Sequence, residues 1–490
     1  MTISSTKVGA DPMAMARRAV ACAEAAGASY ADARSNELYR ESFGLHNGAL
    51  EEAQVAEQRG LGLRVLVDGA WGFAATGGAE SEVPEELARR AIAAGRALAA
   101  VRREPVSLSP DSLTSGEYRT PIDEDPFALS LADKVDFLVA ADQGLQGHEA
   151  IMARDVSLDL RRERQWFAAS GDVEQYQELV RTGAGVAASA AIGGVVERRS
   201  YPASFGGNYR AAGFEFARAM DLAGHGRRVR DDAVALCTAP VCEAGERDLI
   251  LMGNQLMLQI HESVGHPNEL DRVFGQEVDL AGASFATPEK LGTFQYGSEL
   301  VNLVADSTVE GGLDTRGWDD DGVASGRWHV VKDGIFTGYH TSREWANRIG
   351  ESQSRATNRA EGWYNPAIIR ITNLSLMPGT WTLDELIADT EDGVLCDTVK
   401  MWSIDQRRLN FQFTTEAGWE IKDGKKTRLV RKPTYQGNTP DFWRSCDAIC
   451  NADHWELWGV PNCGKGNPMQ VAEMSHGAAP ARFRKQTFVV

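Results

Sequence analysis

The 490-residue chain has no run of about 18 consecutive apolar residues, which excludes a membrane-spanning helix. It has little cysteine: seven residues, odd in number and unevenly spaced, which in a reducing compartment read as thiols or metal ligands. Basic charge is short as well. Lysine and arginine number 51 against 69 acidic residues, a formal charge of −18 that argues against a general binder of nucleic acid or anionic membrane. There is no GxxxxGK[ST] phosphate loop, fixed-period repeat, heptad array or low-complexity tract. The polar start, Met1–Ala10, lacks the apolar core of an export signal, so the expected compartment is the cytoplasm. An apolar content of 43% is that of a globular protein, and the length predicts two or three domains.

Against that background one stretch carries chemistry: His261-Glu262-Ser263-Val264-Gly265-His266. A zinc-type ion holds neutral imidazoles and acidifies a bound water, and an adjacent glutamate can take the water's proton. The spacing is one residue longer than in the usual zinc-protease helix. At roughly 100° per residue, a five-residue step turns the second imidazole about 140° from the first, against about 40° for four. A regular helix therefore fails, and two solutions remain: a wide π-type turn, or a helix that stops at Gly265. Gly265 can adopt positive φ and Pro267 biases His266 away from α geometry, so termination is expected, with His266 swinging back from beyond the last turn. Leu249, Met252, Leu256 and Ile260, at three- and four-residue steps, predict the preceding helix, with Glu243 and Glu246 near its start.

Along the rest of the chain, helices are predicted over Asp11–Ala26, Pro84–Arg102, Ala128–Ala141 and about Tyr209–Leu222. Asn47-Gly48, Asp68-Gly69, Asp333-Gly334 and Asp423-Gly424 predict tight hairpins, and Ser170-Gly171-Asp172 a turn. Residues 103–126 read as a linker or long loop. The polar, basic stretch His225–Asp232 reads as a boundary, giving a mixed α/β part over 1–232 and a β-rich part over 233–490. Gly60, Gly62, Gly183 and Gly185 are read as strand bends, and Asp319-Asp320-Asp321-Gly322 as an acidic surface turn without the calcium-loop pattern.

A hydrolytic site needs a third protein ligand and an open position. Candidates are Glu269, Asp271, His329, His340 and the cysteine-rich tail. Cys446, Cys450 and His454, at four-residue steps, would align on a helix as a second metal site, although that spacing is also what a packed helix face looks like. Cys463 lies in Pro461-Asn462-Cys463-Gly464-Lys465-Gly466, read as a glycine-rich turn that aims a thiolate.

The His261–His266 motif together with Cys463-Gly464-Lys465-Gly466 resembles the TldD branch of the TldD/PmbA (TldE) family of metalloproteases. Arg59–Ala74, Asn358–Glu361, Arg370–Asn373 and Pro378-Gly379 are similar to further family segments, so the resemblance spans the whole chain. It implies an α+β, two-lobed fold with a mixed α/β amino-terminal part and a β-rich, metal-bearing carboxy-terminal domain. It implies metal ligands at His261, His266 and Cys463, a catalytic Glu262, and one divalent ion, zinc. It also implies cleavage of unstructured peptides or small proteins, and a dimer with a PmbA/TldE-like subunit or with itself. Pro267 and the Cys446, Cys450 and His454 set depart from the family pattern. Two other readings stand beside it: a dipeptidyl-peptidase III-like zinc exopeptidase using a downstream glutamate as third ligand, and a non-hydrolytic interaction subunit whose metal is structural.

Overall fold

The computed structural model describes residues 11–78, 83–102, 104–278 and 282–490; Met1–Ala10 and Arg103, the first residue of the expected linker, lie outside them. Helix α1 (Pro12–Ala25) begins at Asp11, whose carboxylate accepts the Met13 N–H at 3.1 Å, with proline in its first turn. Strands β1 (Tyr30–His46) and β2 (Ala49–Val67) are joined by Asn47-Gly48 at φ 51° and 82°, and β2 and β3 (Ala70–Gly77) by Asp68-Gly69 at 49° and 77°. Both pairs adopt the positive φ that a two-residue hairpin requires. Helix α2 (Pro84–Ala99) follows. The expected linker contributes a short strand, β4 (Gly116–Arg119), parallel to a later one, and buries Val106 and Ser109. Helix α3 (Leu131–Leu145) starts at a Ser130/Asp133 capping box, and strands β5 (Ile151–Ala169), β6 (Val173–Ile192), β7 (Val195–Tyr201) and β8 (Asn208–Arg210) complete an eight-stranded sheet whose main order is β3-β2-β1-β5-β6-β4.

The helix expected over Tyr209–Leu222 is instead β8, a short α4 (Phe214–Ala219) and the start of α5 (Leu222–Thr238). The stretch expected as a boundary, His225–Asp232, is the middle of α5: Leu222, Gly226, Val229, Ala233 and Leu236 form a buried stripe, and the charged residues occupy the remaining face. Strand β9 (Gly245–Leu251) and helix α6 (Gly253–Ile260) come next. Leu249 is therefore a strand residue, because Leu249-Ile250-Leu251 is a short apolar run inserted between two other strands. Glu243 and Glu246 accordingly lie away from any helix start.

Alternation along β1, β2 and β5 decides how the two parts meet. Ala31, Ala33, Phe43 and Leu45 of β1 share one face and pack under α1 and α2 at one end and α3 and α5 at the other. The opposite face carries Asp32, Arg34, Arg64 and Gln165 and is buried against the carboxy-terminal part. The expected acidic surface turn is the other half of this contact. Asp320 meets Arg34 at 3.1 Å and accepts from Gln165 at 2.5 Å, Asp321 meets Arg64 at 2.6 Å, and Asp319 caps the backbone N–H groups of Val323 and Asn358. All three carboxylates are buried because guanidinium, amide and N–H donors await them. Gly60 and Gly62 belong to the same interface: a Cβ at either would lie 2.0 Å from an atom of Trp363.

In the carboxy-terminal part β9 pairs in parallel with Asp392–Ile404 and antiparallel with Ala481–Val489. The path continues through Thr434–Asn438 to Asn410–Lys422, whose pairing with Asp392–Ile404 closes a ring of five strands. The fold is α+β, with a mixed amino-terminal part and a β-rich carboxy-terminal part. Every residue of α6 is buried, as befits a short helix enclosed by sheet.

Candidate metal centre

Helix α6 does not stop at Gly265. It widens into a π-helical turn over His261–Gly265 and passes into a 3-10 turn over His266–Asn268. The His266 N–H reaches the His261 carbonyl, an i to i+5 bond, and the two imidazole rings stand 4.7 Å apart at 80°. Gly265 has φ −60° and His266 φ −61°, ψ −41°, so the expected positive-φ ending is overturned. Tertiary partners explain why. Pro267 has no N–H for the Ser263 carbonyl, but the Tyr296 hydroxyl donates to it at 2.5 Å. The Asn268 side chain likewise donates to the Val264 carbonyl at 2.7 Å. Gly265 is required for space: a Cβ there would sit 2.6 Å from Ile371 Cδ1.

Cys463 lies near the end of strand Glu456–Lys465, beside an irregularity after Val460, and the turn begins only at Gly466; the expected glycine-rich turn at Cys463 is thus a bulged strand. Its Sγ is 3.4 Å from His266 Nε2, and the donor atoms of His261, His266 and Cys463 all lie within 4.8 Å of one another. All three side chains are buried.

Hydrogen bonds fix which ring nitrogen is free. His476 Nδ1 lies 2.8 Å from the Leu374 carbonyl, which can only accept, so that nitrogen carries hydrogen. His476 Nε2 then accepts from His261 Nδ1–H at 2.8 Å, leaving the lone pair of His261 on Nε2. His266 Nδ1 faces Glu269 Oε2 at 2.9 Å, which turns its Nε2 toward Cys463. Burial drives His261 down to about 4 and His476 well below the ordinary imidazole value, so both are neutral. Burial would raise the Glu269 carboxyl, but Lys465, His266 and Arg272 hold it well below its usual range. Burial likewise opposes the Cys463 thiolate, yet His266 and Arg370 outweigh it and the thiol lies below its ordinary value.

Glu262 is buried beside these donors. Burial alone would raise its carboxyl, but His266, Arg408 and His261 keep it low, and it accepts from Arg408 Nη1 at 2.6 Å and Trp402 Nε1 at 3.1 Å. Arg408 has φ 61° in the loop between Asp392–Ile404 and Asn410–Lys422, a loop fastened by Asp405, which accepts from the N–H groups of Arg407, Leu409 and Asn410. No spacing pattern announces His476, Arg408 or Trp402; only for His476 was there a trace, as a histidine one short turn beyond Cys463 in the paired strand Gln470–Ala478.

The other candidate ligands lie elsewhere. Glu269 addresses the far nitrogen of His266 and the Arg272 guanidinium, and Asp271 is bound by Lys465 at 2.7 Å. His340 is buried with neither ring nitrogen hydrogen-bonded among the described residues and is pushed down to about 3 by burial, while His329 is a strand residue outside the three-donor group. Cys446, Cys450 and His454 share no helix: Cys446 is in a strand and in the main core, Cys450 is in a second apolar cluster, and His454 Nε2 accepts the Leu383 N–H at 3.3 Å. Among the described residues His261, His266 and Cys463 are the one such donor group. A cavity of about 640 Å³ does not touch these donors and is bounded instead by Asp271, Phe274, Trp345 and Gly466.

Comparison with known proteins matches residues 248–481 to the PmbA/TldA metallopeptidase C-terminal domain and residues 31–95 to domain 1 of the same family, together more than half of the chain. A metalloprotease of Methanocaldococcus jannaschii is 26% identical over 437 residues, 89% of this chain and 92% of the relative. A protein of Saccharolobus solfataricus named as a zinc metalloprotease TldD homolog is 24% identical over 244 residues, 50% of this chain and 51% of its own length. The crystal structure of TldE from Thermococcus kodakarensis shares the fold with a TM-score of 0.74 at 16% identity, covering 97% of this chain and 99% of that one.

Proposed function

The chain belongs to the PmbA/TldA metallopeptidase family and is a metal-dependent protease, and we propose that it cuts unstructured peptides or small proteins at a single zinc ion held by His261 Nε2, His266 Nε2 and Cys463 Sγ, with Glu262 as general base. The observation that carries this reading is the convergence of two imidazole nitrogens and an acidified thiol beside a buried, ionised carboxylate. Two nitrogens and one sulfur suit zinc, and three protein donors leave a coordination position for water. The metal motif supports the TldD side of the family, with a TldE-like subunit or a second copy as partner and the cytoplasm as compartment.

Bound there, the ion would serve as a Lewis acid that polarises the peptide carbonyl and acidifies water. The chain's own residues do the rest. His476 and Glu269 hold the two imidazoles in the tautomers that expose Nε2. Each oxygen of Glu262 spends one acceptor site on Trp402 or Arg408 and keeps another for the proton of water. Because its carboxyl is held acidic, Glu262 readily passes that proton to the leaving amine, a much stronger base. Arg408 and Trp402 fix the carboxylate's position while it does so.

Glu262→Gln is expected to retain the metal and lose nearly all peptide hydrolysis; hydrolysis at the wild-type rate would sink the assignment. Metal content of Cys463→Ala against Glu269→Ala tests the dipeptidyl-peptidase III-like alternative, since only loss of the true third ligand empties the site outright. Engagement of Glu269 by His266 Nδ1, Arg272 and Lys465 weighs against it as a ligand. A purely structural metal would complete four protein donors, and the described residues supply three.

A further inference from the structure

A cavity of about 310 Å³ lies where β1, β2, β5 and β6 meet the strand Gln470–Ala478, and six arginines line it: Arg40, Arg161, Arg162, Arg181, Arg316 and Arg359. Only three carboxylates, those of Glu163, Glu361 and Glu473, share that lining, in a chain whose overall charge is −18. Three of the compensating carboxylates are each shared by two of these arginines, while Arg162 pairs separately with Asp125 at 2.7 Å and Glu178 at 3.3 Å. Asp159 serves both Arg40 and Arg161, Glu473 serves both Arg161 and Arg181, and Arg316 and Arg359 approach the same oxygen of Asp314, each at 2.7 Å.

Two buried guanidiniums of this lining keep a nitrogen without an acceptor. Arg316 and Arg359 are 8% and 3% exposed, and the Nε of each has no hydrogen-bond partner among the described residues. Burial brings Arg359 down to about 10, with Arg316, Arg370 and Arg181 adding to the effect, as expected of a cation crowded by like charge. Buried donors without acceptors are costly unless a ligand supplies the acceptors. The remaining walls, Leu38, Tyr39, Tyr364 and Val471, are suited to an organic body rather than to a bare ion.

The cavity backs directly onto the candidate metal centre. Arg359 Nη2 donates to the Ile371 carbonyl at 2.6 Å, and the Ile371 side chain packs on Gly265 between the two histidines. Arg359 Nη1 donates to the Glu473 carbonyl at 2.8 Å, next to Ala472, which pairs across the hairpin with Cys463.

We propose that this arginine-lined cavity is a subsite for a carboxylate of the peptide substrate, contributed by its C-terminus or by an acidic side chain. A planar carboxylate offers two acceptor oxygens to the fork of a guanidinium, which neutral peptide groups do not. Anchoring one carboxylate here selects acidic or carboxyl-terminal segments for cleavage at the metal. The inference rests on the peptidase reading above, and its test separates the two.

KM is measured with the metal-loaded protein on unstructured peptides of matched length: neutral with a free C-terminus, neutral with an amidated C-terminus, and amidated with one internal glutamate. At least one carboxylate-bearing peptide is expected to have a KM about 10- to 100-fold below that of the neutral amide, the range of a charge-assisted hydrogen bond, and which one it is identifies the source. Arg316→Gln and Arg40→Gln should abolish that difference; Arg40, at the exposed rim, keeps the test usable should Arg316→Gln fold poorly. Equal KM values for all three peptides in the wild type, or a difference that survives both substitutions, overturns the proposal. If no peptide is cut, the peptidase reading fails separately, and equilibrium binding of the same labelled peptides still decides the subsite: carboxylate-dependent binding lost in Arg40→Gln supports it, and carboxylate-independent binding overturns it. Competition by inorganic phosphate at concentrations where acetate has no effect would assign the cavity to phosphate and overturn it too.

Discussion

Replacing His476 by phenylalanine tests the metal centre through a residue that donates nothing to the metal. In the native protein His476 accepts the Nδ1–H of His261 and donates to the Leu374 carbonyl, both at 2.8 Å and both out of contact with water. Phenylalanine fills similar space but accepts no hydrogen bond. His261 then either keeps its Nδ1–H buried without a partner, at about 1–3 kcal/mol, or moves the proton to Nε2 and loses the lone pair that faces His266 and Cys463. Either route weakens metal binding, by about 10- to 100-fold if this contact behaves as other orienting contacts do. That is about 1.4–2.8 kcal/mol. His476→Gln is the control, since its amide can both accept from His261 and donate to Leu374, and it should recover part of the affinity. Competition against a chelator of known zinc affinity reads the effect, and the hydrolysis rate at saturating metal should fall much less than the affinity. Wild-type zinc affinity in His476→Phe would refute the tautomer argument and with it the role of His261 Nε2.

Gly265→Ala, which drives a methyl group against Ile371, should destabilise the fold by about 1–3 kcal/mol in urea unfolding and weaken metal binding along with it. Arg408→Met should leave metal content intact and lower kcat, because Glu262 loses the 2.6 Å contact that fixes its carboxylate; an unchanged kcat would remove Arg408 from the mechanism. Asp321→Asn breaks a buried ion pair between the two parts of the chain and is expected to cost about 3–5 kcal/mol, seen as a lowered urea midpoint. Stripping the metal with a chelator should lower Tm, because an ion at 100 times its Kd contributes about 2.7 kcal/mol to the folded state; no change in Tm would mean that the native fold binds the ion too weakly to matter.

Much of the local structure was legible because it depends on near neighbours. Asn47-Gly48 and Asp68-Gly69 form tight turns because both residues of each pair tolerate positive φ, and Pro12 and Pro84 open helices where a missing N–H costs nothing. Misreadings arose where distant partners changed what a residue needed. Pro267 looked like a helix breaker until Tyr296 and Asn268 satisfied the carbonyls it left open. Asp319–Asp321 looked like a solvated turn because nothing in that segment reveals Arg34, Arg64 and Gln165 waiting on another sheet. Leu249 fitted a helical stripe because a short apolar run carries no period of its own, and its two neighbouring strands lie far away in sequence.

By itself the sequence determined the chemistry on offer: two imidazoles flanking a glutamate, a late cysteine, and a five-residue spacing that no regular α-helix can serve. Which solution that spacing takes, which nitrogen of each histidine is free, and what holds Glu262 were decided by the tertiary structure. Those outcomes depend on hydrogen-bond partners as far as 215 residues away, in the case of His261 and His476, and spacing along one chain carries no record of such contacts.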